Sequence, residues 1–258
     1  MPLEFTFFGE EAERHHINAN EGLESLAGLA HAATLVSHFV AAGKIRQRMP
    51  YDDRLKFYFS DTKPGSLTAI LTLGGALALG AAGNATYDVL KAVWRRATGS
   101  GDDSNLVTEA GEFRGGDLDA LAEAVAPSLL RGHAWIGGHE QGIRIRTGRE
   151  IITEFNQATK GYLQDEIFEE GTSRQDVSVS ALNVNSKYGR VFFFDLGRTI
   201  PFKVDKNANG RTTANLSRHL TKYAEHSNVR VTILFQKILH VDGRMKRILI
   251  LDCEQIEE

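Results

Sequence analysis

Nine histidines and one cysteine are the residues of this sequence whose types most readily do chemistry. Their spacing limits what they can do. His31 and His38 stand seven apart on a predicted helix, so helical rise separates their backbones by about 10 Å and they cannot share one metal ion unaided. His219 and His226 repeat that spacing. His15 and His16 point to opposite faces if they lie on a strand. His133 and His139 flank a Gly-rich turn with Trp135 between them and Glu140 adjacent, which makes the best metal or acid–base cluster in the chain. Loop histidines of purely structural role are the commoner use of such residues. Cys253 falls near the end of a strand with no partner base and reads as a buried structural thiol. A lone cysteine excludes an internal disulfide and a Cys-rich zinc site. Asp52-Asp53 and Asp102-Asp103 are carboxylate pairs, but turns and solvated loops use the same residues. The glycines at Gly74-Gly75 and Gly80 lack the Gly-Lys-Ser/Thr ending and the Gly-x-Gly-x-x-Gly spacing of a phosphate loop. The expectation is therefore a non-enzymatic protein with no catalytic residues, no metal site and no cofactor.

Charge supplies a second line of argument. Residues 1–176 carry 17 Lys/Arg and 25 Asp/Glu, whereas residues 177–258 carry 13 Lys/Arg and 8 Asp/Glu. The asymmetry suggests two modules, 1–170 and 177–258, with the polar stretch Glu169–Asp176 as linker. The second module is mainly β, with alternating runs at 177–184, 190–194, 199–204, 229–235 and 246–251. A helix is expected at about 211–225, and Asp242-Gly243 is a strong hairpin signal. Five short strands interrupted by one helix suggest a small closed β-barrel of OB or SH3 type. Arg190, Arg198, Lys203, Arg244, Lys246 and Arg247 give that barrel a basic cast, with Phe192, Phe193, Phe194 and Phe202 as aromatics. Bases stacked on aromatic rings in a positive groove are how such barrels hold single strands. The plainer reading makes the rings core and the charges a solvated face. A run of three phenylalanines must still place one or two rings outward. Binding of a protein partner by this surface is an equal alternative.

The elements of the first module follow from periodicity. Leu3-Glu4-Phe5-Thr6-Phe7-Phe8 alternates as a strand does, with His15–Ala19 as its candidate hairpin partner. Asn20 is placed as an N-cap, Leu23 to Val40 share a helical face, and Gly43 sits where a C′ glycine belongs. Leu55–Phe59 is a second strand and Pro64-Gly65 a turn. A helix runs from Asp117 to about Leu130, with Pro127 expected to kink or end it. Thr98–Gly116 reads as a mobile loop and 149–163 as a helix.

The stretch between Lys63 and Asp88 is without charge and is long enough to cross a bilayer core. Gly74, Ala78 and Ala82 recur every four residues, as do Ala76 and Gly80, and small residues at that spacing let helices approach closely, as they do in lipid; Leu71 belongs to the same expected membrane or oligomer segment. Tyr87 and Trp94 are placed like interfacial aromatics, followed by the positive flank of Lys91, Arg95 and Arg96. The alternative is a buried Gly/Ala-rich helix at the centre of a soluble domain or an oligomer interface. The fold class is then α+β, an N-terminal α/β module with an apolar Gly/Ala-rich helix at 64–96 followed by a barrel with one helix.

Composition places the chain among soluble globular proteins: 258 residues, 42% apolar, net charge −3. The acidic opening Met1–Phe5 lacks a signal-peptide pattern, so a cytoplasmic location is expected. The opening through Pro64-Gly65-Ser66-Leu67, the later Tyr87-Asp88-Val89-Leu90-Lys91 and Gly197-Arg198-Thr199-Ile200-Pro201-Phe202 together resemble a family of functionally uncharacterised bacterial proteins of about this length. The resemblance implies an association with anti-phage defence, as immune sensor or effector, and carries no active-site residues across. The leading expectation is a homo-oligomer whose 64–96 segment is released on activation, by a phage or host protein ligand, to act at the inner membrane. The alternative is a soluble module that binds nucleic acid or protein through the basic barrel.

Overall fold

The computed structural model describes residues 2–63, 67–100, 115–138, 141–225 and 229–254. The chain divides into two compact units, Met1–Gln164 and Asp165–Glu258.

The first unit comprises β1 (Pro2–Phe8), α1 (Glu10–Glu13), α2 (Ala19–Ala42), β2 (Lys56–Lys63), β3 (Thr68–Gly74), α3 (Ala81–Thr98), α4 (Gly115–Gly132), β4 (Gly142–Thr147), β5 (Glu150–Phe155) and α5 (Gln157–Gln164). Its five strands form one antiparallel sheet in the order β2-β3-β1-β4-β5. Alternation decides which side of the sheet is wet. Leu3, Phe5 and Phe7 of β1 are buried, in one core with Leu29 and Val36 of α2, Trp94 of α3 and Leu121 and Val125 of α4. Asn18 caps α2, its Oδ1 accepting from the Asn20 and Glu21 amides, and Gly43 ends the helix in the left-handed conformation. The cap is two residues earlier than the expected Asn20. The His15–Ala19 segment is not the hairpin partner of β1, whose neighbours are β3 and β4. Nor is 149–163 one helix: the β-branched run Ile151-Ile152-Thr153 pairs with β4, and a helix begins only at Gln157. Helix α4 runs through Pro127 to Gly132. Most of the expected loop at 98–116, and the Pro64-Gly65 turn, lie outside the described residues.

The largest correction concerns 64–96, which is not a single apolar helix. Thr68–Gly74 is β3, hydrogen-bonded on both sides, to β1 and β2. The chain then turns at Gly75, where φ is +107° and a Cβ would lie 2.4 Å from the Arg54 carbonyl oxygen. A helix resumes only at Ala81. Thr68, Ile70 and Thr72 carry β-branched side chains that suit a pleated surface, and the paired strands on both sides settle the choice.

The second unit comprises β6 (Ile167–Phe168), β7 (Ser173–Asn183), β8 (Tyr188–Phe193), β9 (Arg198–Val204), α6 (Thr212–Glu225), β10 (Val231–Leu239) and β11 (Met245–Cys253). Strands pair in the ring β7-β8-β9-β11-β10-β7, antiparallel throughout except β9 with β11. A five-stranded ring with this order, and a helix between its third and fourth strands, has the connectivity of an OB barrel rather than an SH3 barrel. Val177, Val191, Phe193, Ile200, Phe202, Ile233, Phe235 and Ile250 fill the interior. The expected linker is part of this unit: β6 pairs with β10, and β7 begins at Ser173. The boundary therefore falls at Asp165, ahead of the expected 177.

Gly28 shows how tightly α2 and α4 meet. A Cβ there would lie 2.5 Å from the Gly132 amide nitrogen and 2.6 Å from the Ser128 carbonyl oxygen, both backbone atoms that cannot swing aside. Gly28→Ala is expected to destabilise the first unit by about 1–3 kcal/mol through overpacking. Urea unfolding followed by circular dichroism checks this, and an unmoved midpoint would mean the two helices do not approach so closely.

Candidate functional site

The outer face of β8 and β9 gathers aromatic and basic side chains in rows. Cross-strand partners share a face, so Tyr188 stands beside Lys203, Arg190 beside Pro201 and Phe192 beside Thr199. Phe193 is fully buried and packs edge-on against Phe235 at 5.5 Å within the barrel. Its neighbours must then point outward. Phe192 is half-buried and Phe194 is 39% exposed, their rings meeting at 5.4 Å. Tyr188 is 44% exposed. Lys203 Nζ lies 5.2 Å from the Tyr188 ring centre, and the Arg230 guanidinium 4.1 Å from that of Phe194. Those are cation–π distances that hold ring and charge side by side. Tyr188 and Arg230 escaped the sequence reading. The signal for Tyr188 was its position five residues before Phe193, but Arg230 reaches the site only because β10 returns beside β7.

The six basic residues expected to act together do not form one cluster. Arg190 and Lys203 lie on the aromatic face. Arg198 donates to the Met245 carbonyl at 3.2 Å. The hairpin cations are engaged within their own unit. Arg244 Nε lies 2.7 Å from an Asp242 oxygen, and Glu166 takes both Arg247 at 2.7 Å and Lys246 at 3.4 Å. With its true boundary the unit, 165–258, holds 14 Lys/Arg and 13 Asp/Glu, a net of +1. The charge asymmetry drawn at residue 177 came largely from leaving an acidic segment on the wrong side of the boundary.

The two units coincide with two families. Residues 3–164, more than half of the chain, match Domain of unknown function (DUF7946). The chain belongs to that family. Residues 171–254 match Family of unknown function (DUF7947). DUF7946 is thus the helix-covered sheet, and DUF7947 is the barrel with its aromatic face. No curated protein and no solved structure matches the chain.

The residues singled out between 71 and 96 are built into the DUF7946 fold. Leu71 is buried in β3, and Gly74 closes that strand against the Tyr58 ring. Ala78 and Gly80 lie in the connector beside Leu79, which is 94% exposed, and Ala82 opens α3. Tyr87 and Trp94 are buried in the core of this unit. Trp94 packs between Phe5 and Phe155, with centroids 6.3 and 6.0 Å away. The basic flank is tied down as well: Arg95 donates to the Ile152 carbonyl at 2.6 Å, Arg96 pairs with Asp119 and Lys91 with Glu150. Among the described residues one helix is long and apolar enough to cross a membrane, and it is Ala19–Ala42, over half buried in its unit.

Among the described histidines, His31, His38 and His133 take structural roles. Tyr51 sits between His31 and His38, at ring distances of 6.0 and 5.9 Å. Tyr51 donates to the Gln47 carbonyl and so accepts from His31 Nε2, at 2.8 Å. That leaves His31 Nδ1 to accept from the buried Ser128 hydroxyl, at 2.7 Å. Burial, and secondarily Arg131, lowers the His31 pKa. The chain of bonds clamps α2, α4 and the 47–52 segment together. His133 donates from Nδ1 to the Leu129 carbonyl, accepts from Thr159 at Nε2, and stacks on Phe155 at 4.2 Å. His139 and Glu140, its proposed companions, lie outside the described residues. Among the described residues no group of three His, Cys, Asp or Glu side chains could hold a metal. Burial raises the Cys253 thiol to about 12, with Asp252 adding to the effect, so no thiolate forms near neutrality.

Burial lowers the His133 pKa to about 4 and does the same for His219. The unfolded chain takes up these protons below about pH 6.5, while the folded chain refuses them. The stabilisation is complete above pH 6.5 and is lost as pH falls towards 4, by roughly 3 kcal/mol for fully buried His133. Urea unfolding between pH 7.5 and pH 5, above the carboxylate range, is expected to show this slope, reduced in His133→Gln. An identical slope in that variant would show that the imidazole is not held neutral.

Proposed function

We propose that the barrel is a single-stranded nucleic-acid binding module, with β8 and β9 as the platform. The observation that carries this reading is the outward row of Tyr188, Phe192 and Phe194 along the second strand of an OB barrel, with Arg190 on the same strand, Lys203 on the third and Arg230 reaching in from the start of the fourth. Barrels of this connectivity bind oligonucleotides on that pair of strands, flanked by the loops between strands one and two and strands four and five. Here those loops are 184–187 and 240–244. The platform runs about 13 Å from Tyr188 to Phe192 at strand rise. Exposed rings stack on the flat faces of unpaired bases, faces that a duplex conceals, which favours single strands. The cations line the same face, where a phosphate backbone would run beside its stacked bases.

The packing of 64–96 opposes membrane action through that segment. Releasing that segment would strip β3 from between two partner strands and expose Leu71, Leu73, Tyr87 and Trp94 together. The cost is several kilocalories per mole from the side chains alone, at about 1.5–3 kcal/mol for each large apolar group.

Fluorescence anisotropy of labelled oligo(dT) and oligo(rU) with the full chain tests the proposal. Binding at about 50 mM salt is expected to weaken steeply as salt rises. Tyr188→Ala and Phe192→Ala are each expected to lower affinity by about 1–3 kcal/mol, roughly five- to a hundred-fold. Lys203→Ala should flatten the logarithmic salt dependence by about 0.7. Flat titrations with both oligonucleotides overturn the reading and leave a protein partner as the occupant of this face.

A further inference from the structure

Residues 165–170 form an arm that lies on the barrel rather than connecting to it loosely. Ile167 and Phe168 pair with Leu239 and Ile238 of β10. The Glu169 amide donates to the Lys237 carbonyl at 3.0 Å, and Gln236 Nε2 donates back to the Glu169 carbonyl at 3.0 Å. The arm's acids meet the barrel's bases. Glu166 sits between Lys246 and Arg247, Glu169 lies 3.0 Å from Lys237 Nζ, and the Asp165 carbonyl accepts from Lys246 at 3.2 Å.

Arg247 belongs to the same outer surface as the aromatic platform, and Glu166 holds the Lys246 ammonium beside it, whereas Lys237, opposite the interior Ile248, fastens the arm from the other face of β10. Strand β11 runs parallel to β9, with Leu249 opposite Lys203. Two residues earlier on each strand, Arg247 stands level with Pro201, which is itself opposite Arg190. Ile238 reports the covering directly. It is fully buried yet outside the interior cluster of the barrel, and it pairs with Phe168 on one side and Arg247 on the other. The fit of the arm is incomplete. Glu166 engages Arg247 through Nη2, while Arg247 Nε is buried without a hydrogen-bond partner. A guanidinium fork that offers two parallel donors is filled on one side only, and a phosphate group can take both.

We propose that the arm is a phosphate mimic that occupies one end of the nucleic-acid surface, so that Lys246 and Arg247 join the interface when a strand displaces it. The inference rests on the reading of the β8–β9 platform. Two covering residues, Ile167 and Phe168, are 45% and 55% exposed, and the ladder holding them is two residues long. The arm is therefore held mostly by the charges a phosphate backbone would replace. The strand thus gains contacts only as it removes a competitor, which makes the masked end a barrier to short or weakly charged ligands.

The test compares the full-length wild type with Glu166→Gln, Glu169→Gln and the double variant, using labelled oligo(dT) over a range of salt. Glu170→Gln is the matched control, an exposed acid on the same arm. The double variant is expected to bind about tenfold more tightly at low salt, with a logarithmic salt dependence steeper by about 1.4, as two more cations meet phosphates at about 0.7 each. Glu169→Gln alone, a change at a partly exposed side chain, should move both readouts in the same direction by about half. The inference fails if the double variant matches the wild type, or if Glu170→Gln produces the same gain through net charge alone. Wild-type binding that persists in either case keeps the platform reading. Absence of binding by wild type and variants alike overturns both.

Discussion

Closing five strands into a ring removes the freedom of a strand to choose which side its residues face. In β8 the ring puts Val191 and Phe193 inside, against Ile200, Phe202 and Phe235. The two-residue pleat then sends Arg190 and Phe192 outward. Lys203 takes its outward place through pairing with Tyr188 of β8, and β11 carries Arg247 into line through its parallel pairing with β9. Every functional statement about the barrel depends on this one geometric constraint. A slip of one residue in β8 would bury an arginine and expose Phe193.

The first unit obeys a different rule. Its sheet has one apolar face, and α2, α3 and α4 cover it. Small residues serve close packing within this core. Gly28 lets α2 and α4 meet backbone to backbone, Gly74 makes room for the Tyr58 ring, and Gly75 turns the chain between β3 and α3. The aromatics that resembled membrane anchors, Tyr87 and Trp94, contribute the bulk of that core. The buried histidines follow the same economy of space. His133 and the His31–Ser128–Tyr51 chain join elements through directed hydrogen bonds, which apolar side chains cannot supply.

Electrostatics changes meaning with the boundary. Drawn at 177, the C-terminal segment is strongly basic; drawn at Asp165, it is nearly neutral, because the acids between 165 and 176 fold onto it. Long-range attraction for a polyanion is therefore weaker than the sequence suggests. On the proposed reading, a strand is held by local features, which are the rings of the platform and the cations beside them.

Several elements were legible without coordinates. Alternation in 3–8, 177–183 and 190–194, the helix of about 21–42 with its closing Gly43, the Asp242-Gly243 turn and the helix at 211–225 are local signals, and the α+β class and the closed barrel followed from them; the face α2 buries is that of Ser25, Leu29, Ala32, Val36 and Phe39 rather than the expected stripe, whose Leu23 is exposed. Even the split of Phe192-Phe193-Phe194 into outward and inward rings follows from the pleat. What the sequence could not reveal lies in contacts between distant residues. Whether 68–74 is strand or helix was decided by β1 and β2 lying on either side of it. Whether Lys246 and Arg247 face solvent or a carboxylate was decided by Glu166, 80 and 81 positions away in the chain. Backbone periodicity and turn chemistry are properties of neighbours along the chain. Strand partners and ion pairs across a fold are properties of neighbours in space, and folding alone brings those together.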